Sequence, residues 1–95
     1  PRGARSVHVE VARPVTIGRG DYSEDIVIRD STVSSPHLSL SFDGMDVYIE
    51  DLGSTNGTKH NGAKIAAHEA RKIVSGDSVV IGYTALKFLF KTGQE

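Results

Sequence analysis

The stretch Asp51-Leu52-Gly53-Ser54-Thr55-Asn56-Gly57-Thr58-Lys59-His60-Asn61-Gly62 decides how this chain is read. It holds two Asn-Gly pairs, at 56–57 and 61–62. Asn-Gly favours tight turns, because glycine adopts positive φ freely and asparagine tolerates it better than most residues. Between the pairs, Thr58-Lys59-His60 has room only for a very short strand. The segment is therefore turn, short strand, turn, with the backbone bent at defined points. Ser54 and Thr55 stand before the first turn and bring hydroxyls that donate and accept hydrogen bonds. Two readings stay open: a pair of ordinary turns in a β-rich domain, and the rim of a rigid loop that binds an anion or a peptide.

Working outward, Leu38-Ser39-Leu40-Ser41-Phe42 alternates apolar and polar, Asp43-Gly44 signals a hairpin turn, and Val47-Tyr48-Ile49-Glu50-Asp51 returns as the partner strand. On the other side, Ala63–Ile65 forms a hairpin with Thr58–His60 across Asn61-Gly62. Ala66–Arg71 has the one helix-forming composition, but is too short to hold a helix unaided; a loop with at most one helical turn is expected. Lys72-Ile73-Val74 reads as a short strand, Ser75-Gly76-Asp77 as a turn, and Val79 with Ile81 as one face of the next strand. After a turn at Gly82-Tyr83, Leu86, Phe88 and Phe90 alternate with Lys87 and Lys91 in a last strand. Towards the N-terminus, Ser6–Val11 alternates with Val7, Val9 and Val11 inward. Val15-Thr16-Ile17 and Ile26-Val27-Ile28 are further short strands, and the acidic Asp21–Asp25 and polar Arg29–Pro36 segments are loops. Many short strands with regular turn signals indicate an all-β sandwich or barrel. The period-2 placement predicts a core of Val9, Val11, Ile17, Leu38, Leu40, Val47, Ile49, Val79, Ile81 and Phe88.

The 95 residues suffice for one domain, and 38% hydrophobic residues suffice for a core. A formal net charge of −1 argues against a general binder of nucleic acid or membrane surface, while leaving room for a local positive pocket. There is no cysteine, hence no disulfide frame and no thiolate metal site. No apolar run approaches membrane-spanning length. The chain starts on Pro1 and reads as a domain, residues 5–92, taken from a longer protein or left by processing.

Four places carry polar groups that a sandwich does not need for folding. Arg19, between Gly18 and Gly20, offers a planar fork of donors suited to phosphate or carboxylate. Ser34-Ser35-Pro36-His37 pairs a hydroxyl with an imidazole, but no acid partner for a catalytic triad stands nearby, so a structural His37 is the expected reading. Ser54-Thr55-Asn56 is the third place, and Gly76-Asp77 the fourth, read as a turn. His8, His37, His60 and His68 lack metal-ligand spacing; no metal and no cofactor is expected.

These places occur in an order that resembles the forkhead-associated (FHA) domain. The resemblance rests on Gly18-Arg19, then Val33-Ser34-x-x-His37, then Asp51-Leu52-x-Ser54-x-Asn56-Gly57-Thr58-x-x-Asn61-Gly62, then Gly76-Asp77-x-Val79-x-Ile81-Gly82, and runs from about Val7 to Phe90. It implies an all-β sandwich of about eleven strands in two sheets that recognises phosphothreonine through loops at one end. On that resemblance Arg19 would hold the phosphate, Ser34 would donate its hydroxyl to it, and Thr55 would line the pocket. Asn56 would hydrogen-bond the main chain of the bound peptide. Ser35 stands where the family often has a longer residue contacting phosphate or peptide, and shortens the reach. Gly18, His37, Gly57 and Asn61 would be architectural, with His37 bracing the Ser34 loop against the Asn-Gly stretch. The resemblance implies a monomeric, intracellular module, cytoplasmic or nuclear, that binds a phosphothreonine-containing protein and is not an enzyme. A phosphate-independent scaffold is the alternative, given weight by Ser35 and the acidic Asp21–Asp25 loop.

Overall fold

The computed structural model describes residues 14–44 and 46–90. The expected first strand, Ser6–Val11, and the core positions Val9 and Val11 lie outside the described residues. Within them are nine strands: β1 (Val15–Gly18), β2 (Ile26–Val27), β3 (Leu38–Asp43), β4 (Asp46–Asp51), β5 (Thr58–His60), β6 (Ala63–Lys64), β7 (Arg71–Ile73), β8 (Ser78–Ile81) and β9 (Thr84–Lys87). No helix occurs among the described residues.

The strands form two sheets, in the orders β2-β1-β3-β4-β7 and β6-β5-β8-β9. The long hairpin of β3 and β4 anchors the first, pairing from Leu38↔Asp51 to Asp43↔Asp46. Alternation along these strands puts Leu38, Leu40, Val47 and Ile49 on one side. They meet Val79 and Ile81 of the second sheet in a single cluster, together with Val15, Ile17, Val33, Ile65 and Ile73. One cluster fed by both sheets makes the molecule a sandwich rather than a barrel. Of the described predicted core positions, Phe88 alone is only partly buried.

Three details sharpen the sequence reading. Ala66–Arg71 makes no helical turn: Ala67 bridges to Asp51 and Arg71 already belongs to β7. Tertiary pairing overrides helix-favouring composition in so short a segment. The last strand ends at Lys87, although Leu86, Phe88 and Phe90 stay on the core side. The two Asn-Gly pairs are also unlike each other. Asn61 and Gly62 both have positive φ, 50° and 89°, as a two-residue hairpin turn of the primed kind requires, whereas in the first pair only Gly57 does, at 83°.

Register explains where the loops gather. Ile17 pairs with Leu38, and Leu38 with Asp51. In the other sheet Thr58 pairs with Ile81, and Ile81 with Thr84. Thr58 Oγ1 joins the two sets by donating to Asp51 Oδ2 at 2.6 Å. The segments 19–25, 28–37, 52–57 and 82–83 therefore all leave the sandwich at one end. There Asp30 accepts from Thr32 N and Oγ1 at 2.9 and 2.6 Å and from Thr84 Oγ1 at 2.6 Å. These hydrogen bonds fix the 28–37 loop to the β8–β9 turn and hold the Asp30 carboxyl down at about 2.

Candidate functional site

The site begins with a buried histidine. His37 is 0% exposed. Its Nδ1 accepts from Ser34 N at 3.0 Å, so Nε2 carries the proton and faces Gly57 O at 3.0 Å and Thr58 Oγ1 at 3.2 Å. One ring thus ties the 28–37 loop to the 52–57 loop. Asp51 completes the second loop. Its Oδ1 accepts from Gly53 N and Ser54 N, both at 2.8 Å, and its Oδ2 from Ser54 Oγ at 2.6 Å as well as from Thr58. Ser54 Oγ in turn accepts from Gly57 N at 3.0 Å. Every turn of this loop is held by a side chain inside it or beneath it.

Burial pushes the His37 imidazole below its ordinary 6.5, although Gly57 and Asp51 pull the other way. Burial pushes the Asp51 carboxyl up, but the hydrogen bonds from Ser54, Thr58 and Gly53 outweigh it and hold the group below 3.8. Both directions have the same consequence for stability. The unfolded chain takes up protons on His37 near 6.5 while the folded chain resists, so stability is full above that pH and falls as the pH drops through it. Asp51 adds a further loss below its own ordinary range. The melting temperature should therefore fall as pH goes from about 7.5 to about 5, and His37→Ala should remove the His37 share of that slope. An equal slope in both proteins would contradict this role.

Arg19 sits in the loop after β1, which passes closely over its neighbours. A Cβ on Gly18 would lie 2.9 Å from Ser34 O and 2.9 Å from Glu24 Cγ, so no side chain fits there. Arg19 N donates to Ser34 O at 3.1 Å, and Arg19 Nη1 donates to Val33 O at 2.9 Å. Nε and Nη2 donate to Asp21 Oδ2 at 3.1 and 2.5 Å. Glu24, 8% exposed, lies beneath this loop and accepts from Tyr22 N at 3.3 Å and from Ser35 Oγ. Ser35 Oγ also accepts from Asp21 N at 2.8 Å.

Arg19, Asp21, Tyr22, Ser34, Ser35 and Thr55 line an open cleft of about 420 Å³ together with Pro36, Leu52 and Gly53. Ser34 Oγ accepts from Thr55 N at 3.0 Å, which joins the cleft's two walls. The structure thus brings together four of the expected site residues: Arg19, Ser34, Ser35 and Thr55. Asn56 stands on the rim and donates from Nδ2 to Thr32 O at 2.9 Å. It faces a second cleft of about 480 Å³, shared with Thr32, Gly57, Lys59 and Tyr83. Gly57 lies beneath the rim as the His37 partner. Asn61 is placed elsewhere: it exchanges hydrogen bonds with Ser78 at 2.7 and 2.8 Å and so fixes the β5–β6 turn to β8.

Glu24 escaped the sequence reading because it lies in a run of acidic loop residues with nothing to mark it as buried. Asp77 was read as a turn residue, yet it accepts from His60 Nε2 at 2.8 Å and from Val74 N at 2.9 Å, bonds that hold it down at about 2. The available signal was an Asp inside a Gly turn, since Asp side chains in turns bond nearby backbone N–H groups.

A family model described as the FHA domain matches residues 15–82. The chain belongs to the FHA domain family. This FHA domain is 44% identical over 75 residues to the FHA domain-containing protein FhaB of Mycobacterium tuberculosis, covering 79% of this chain and 46% of FhaB. It thus spans about half the length of that curated relative. A chain solved in work on phosphothreonine-dependent FHA domain interactions superposes with a TM-score of 0.82 at 27% identity, over 95% of this chain and 88% of that one. Mycobacterium tuberculosis EmbR, solved in complex with a low affinity phosphopeptide, superposes with a TM-score of 0.74 at 29% identity, over 84% of this chain and 20% of EmbR.

Proposed function

We propose that this FHA domain binds phosphothreonine-containing segments of other proteins and makes that association depend on phosphorylation. The observation that carries the reading is the convergence of Arg19, Ser34 and Thr55 on one cleft whose walls are fixed by His37 and Asp51. A phosphate brings up to two negative charges and several acceptor oxygens. Arg19 supplies the cationic fork. Ser34 Oγ already accepts from Thr55 N, which leaves its hydroxyl hydrogen for a phosphate oxygen. Asn56 commits Nδ2 to Thr32 and has its Oδ1 left for an N–H of the bound main chain. Ser35 acts through the loop: its hydroxyl is engaged with Glu24 and the Asp21 backbone, so it ties the loop that carries Arg19 to the second wall of the cleft.

Binding rather than hydrolysis is supported by the way His37 meets Ser34. The imidazole bonds the Ser34 backbone N–H, not its hydroxyl, so the pair is a brace and not a base activating a nucleophile. No helix of the described residues is long and apolar enough to cross a membrane. We place the domain's action inside the cell, as a monomer, in the cytoplasm or nucleus where partner proteins meet kinases. A phosphate-independent scaffold is the second reading, favoured by one observation: the Asp21 carboxylate already occupies two donors of Arg19.

Calorimetric titration with an oriented phosphothreonine peptide library and its unphosphorylated counterpart separates the two. Micromolar binding of the phosphorylated set alone is expected; equal binding of both sets favours the scaffold. Phosphoserine versions should bind at least several-fold more weakly. Burying the threonine methyl is worth about 0.8 kcal/mol, roughly a factor of four, and a cleft too rigid to collapse around the missing methyl adds to that. Equal affinities would mean that the pocket reads charge alone.

A further inference from the structure

The Arg19 guanidinium is not waiting empty. Of its five N–H donors, Nε–H and one on Nη2 converge on a single oxygen, Asp21 Oδ2, and one on Nη1 goes to Val33 O. Asp21 is not a loose surface acid either. Its backbone N–H is held by Ser35 Oγ, and Ser35 is held in turn by Glu24. Asp21 and Arg19 side chains are 46% and 38% exposed, so the pair sits at the mouth of the cleft and can open without unfolding anything.

We infer that Asp21 is an internal competitor at this site: it occupies the Arg19 fork as an anion and so sets a threshold that a ligand offering only a carboxylate does not clear. The inference rests on the phosphothreonine reading of the cleft and deepens it. A glutamate or aspartate side chain entering the cleft exchanges one carboxylate for another on Arg19, so the exchange itself gains nothing. Any anionic ligand also meets a like charge in the displaced Asp21. A phosphothreonine brings more charge and a third oxygen. It can take the fork, the remaining Nη hydrogens and the Ser34 hydroxyl together, which Asp21 cannot do from its place in the loop. Displacing Asp21 thus costs every anion alike, and only a ligand with contacts beyond the fork recovers that cost, so the domain ignores acidic segments of unphosphorylated proteins.

The test uses the whole chain with two fixed probes, the capped peptide Ala-Ala-phosphothreonine-Ala-Ala and the same peptide with glutamate in the central place, titrated by NMR. In the ligand-free protein, Asp21→Asn should shift the Arg19 Nε–H resonance, because the variant keeps the shape and removes the charge. Removing an exposed ion pair and its repulsion of the ligand should tighten the phosphothreonine probe about three- to tenfold. The glutamate probe should gain by a similar factor, because the pair it must displace is the same. Asp21→Ala should act in the same direction, which guards against a new hydrogen bond from the asparagine amide. Unchanged or weaker binding of the phosphothreonine probe by both variants would overturn the inference while leaving the site reading intact. Failure of the phosphothreonine probe to move any cleft resonance in either protein would overturn the site reading, and the inference with it.

Discussion

Arg19→Ala is expected to lower phosphothreonine-peptide affinity at least a hundredfold, from micromolar to below detection, while the domain stays folded. Each charge-assisted hydrogen bond is worth about 1.5–3 kcal/mol. Losing two from the guanidinium removes about 3–6 kcal/mol, and every 1.4 kcal/mol is tenfold in affinity. The cost to the fold is far smaller. The Asp21 pair is exposed and adds little to stability, and the bond to Val33 O is a single contact made by a side chain that is itself partly exposed. The melting temperature should therefore move by only a few degrees, about 4–8 °C per kcal/mol for a domain of this size. Arg19→Lys should also bind weakly, because a point charge cannot reproduce the fork. Calorimetric titration with a thermal melt alongside is the check, and unchanged affinity in the alanine variant would remove Arg19 from the site.

His37→Ala is expected to damage the fold and the site together. The imidazole is fully buried, and it satisfies Ser34 N on one side and Gly57 O with Thr58 Oγ1 on the other. Removing it leaves buried donors and acceptors unpaired at about 1–3 kcal/mol each, and adds a cavity. A combined loss of about 3–5 kcal/mol is a large part of the 5–15 kcal/mol typical of a domain. The melting temperature should drop by roughly 12 °C or more. Binding should fall even where the variant is still folded, since the loops carrying Ser34 and Thr55 lose their common tie. A normal melt and normal peptide binding would contradict the bracing role. An unchanged melt with loss of turnover of some substrate would instead favour catalysis by Ser34 and His37.

Much of this architecture was legible because it rests on local rules. Leu38–Asp51 alternates around a turn, so its hairpin and its buried face could both be read. Asn61-Gly62 carries its own backbone preference. Arg19, Ser34 and Thr55 could be brought to one end of the molecule because the order and spacing of four short motifs match a family pattern, although no single motif would have done so. What stayed hidden depends on contacts between distant residues. Val33 is fully buried inside a polar loop, because that loop folds back over the sandwich end. Ile65 and Ile73 lie in short segments with too few neighbours to show a period. Glu24 is buried beneath the Arg19 loop only because Ser35 and the Tyr22 backbone are there to meet it. The pairing of Asp21 with Arg19 spans two positions in sequence, yet nothing in the acidic loop distinguishes Asp21 from Asp25, whose carboxylate accepts from Thr16 N and Oγ1 instead.

On the proposed function, the cleft between Arg19, Ser34 and Thr55 holds the phosphate. The most direct measurement is a nitrogen-15 NMR titration with the best phosphothreonine peptide selected from the library, following the Arg19 Nε–H resonance and the backbone amides of Ser34 and Thr55. All three should shift together with one affinity, while the amides of Asn61 and Ala63 at the β5–β6 turn stay in place. Saturable binding that moves the turn at Asn61 or the β3–β4 hairpin, and leaves Arg19, Ser34 and Thr55 unshifted, would contradict it.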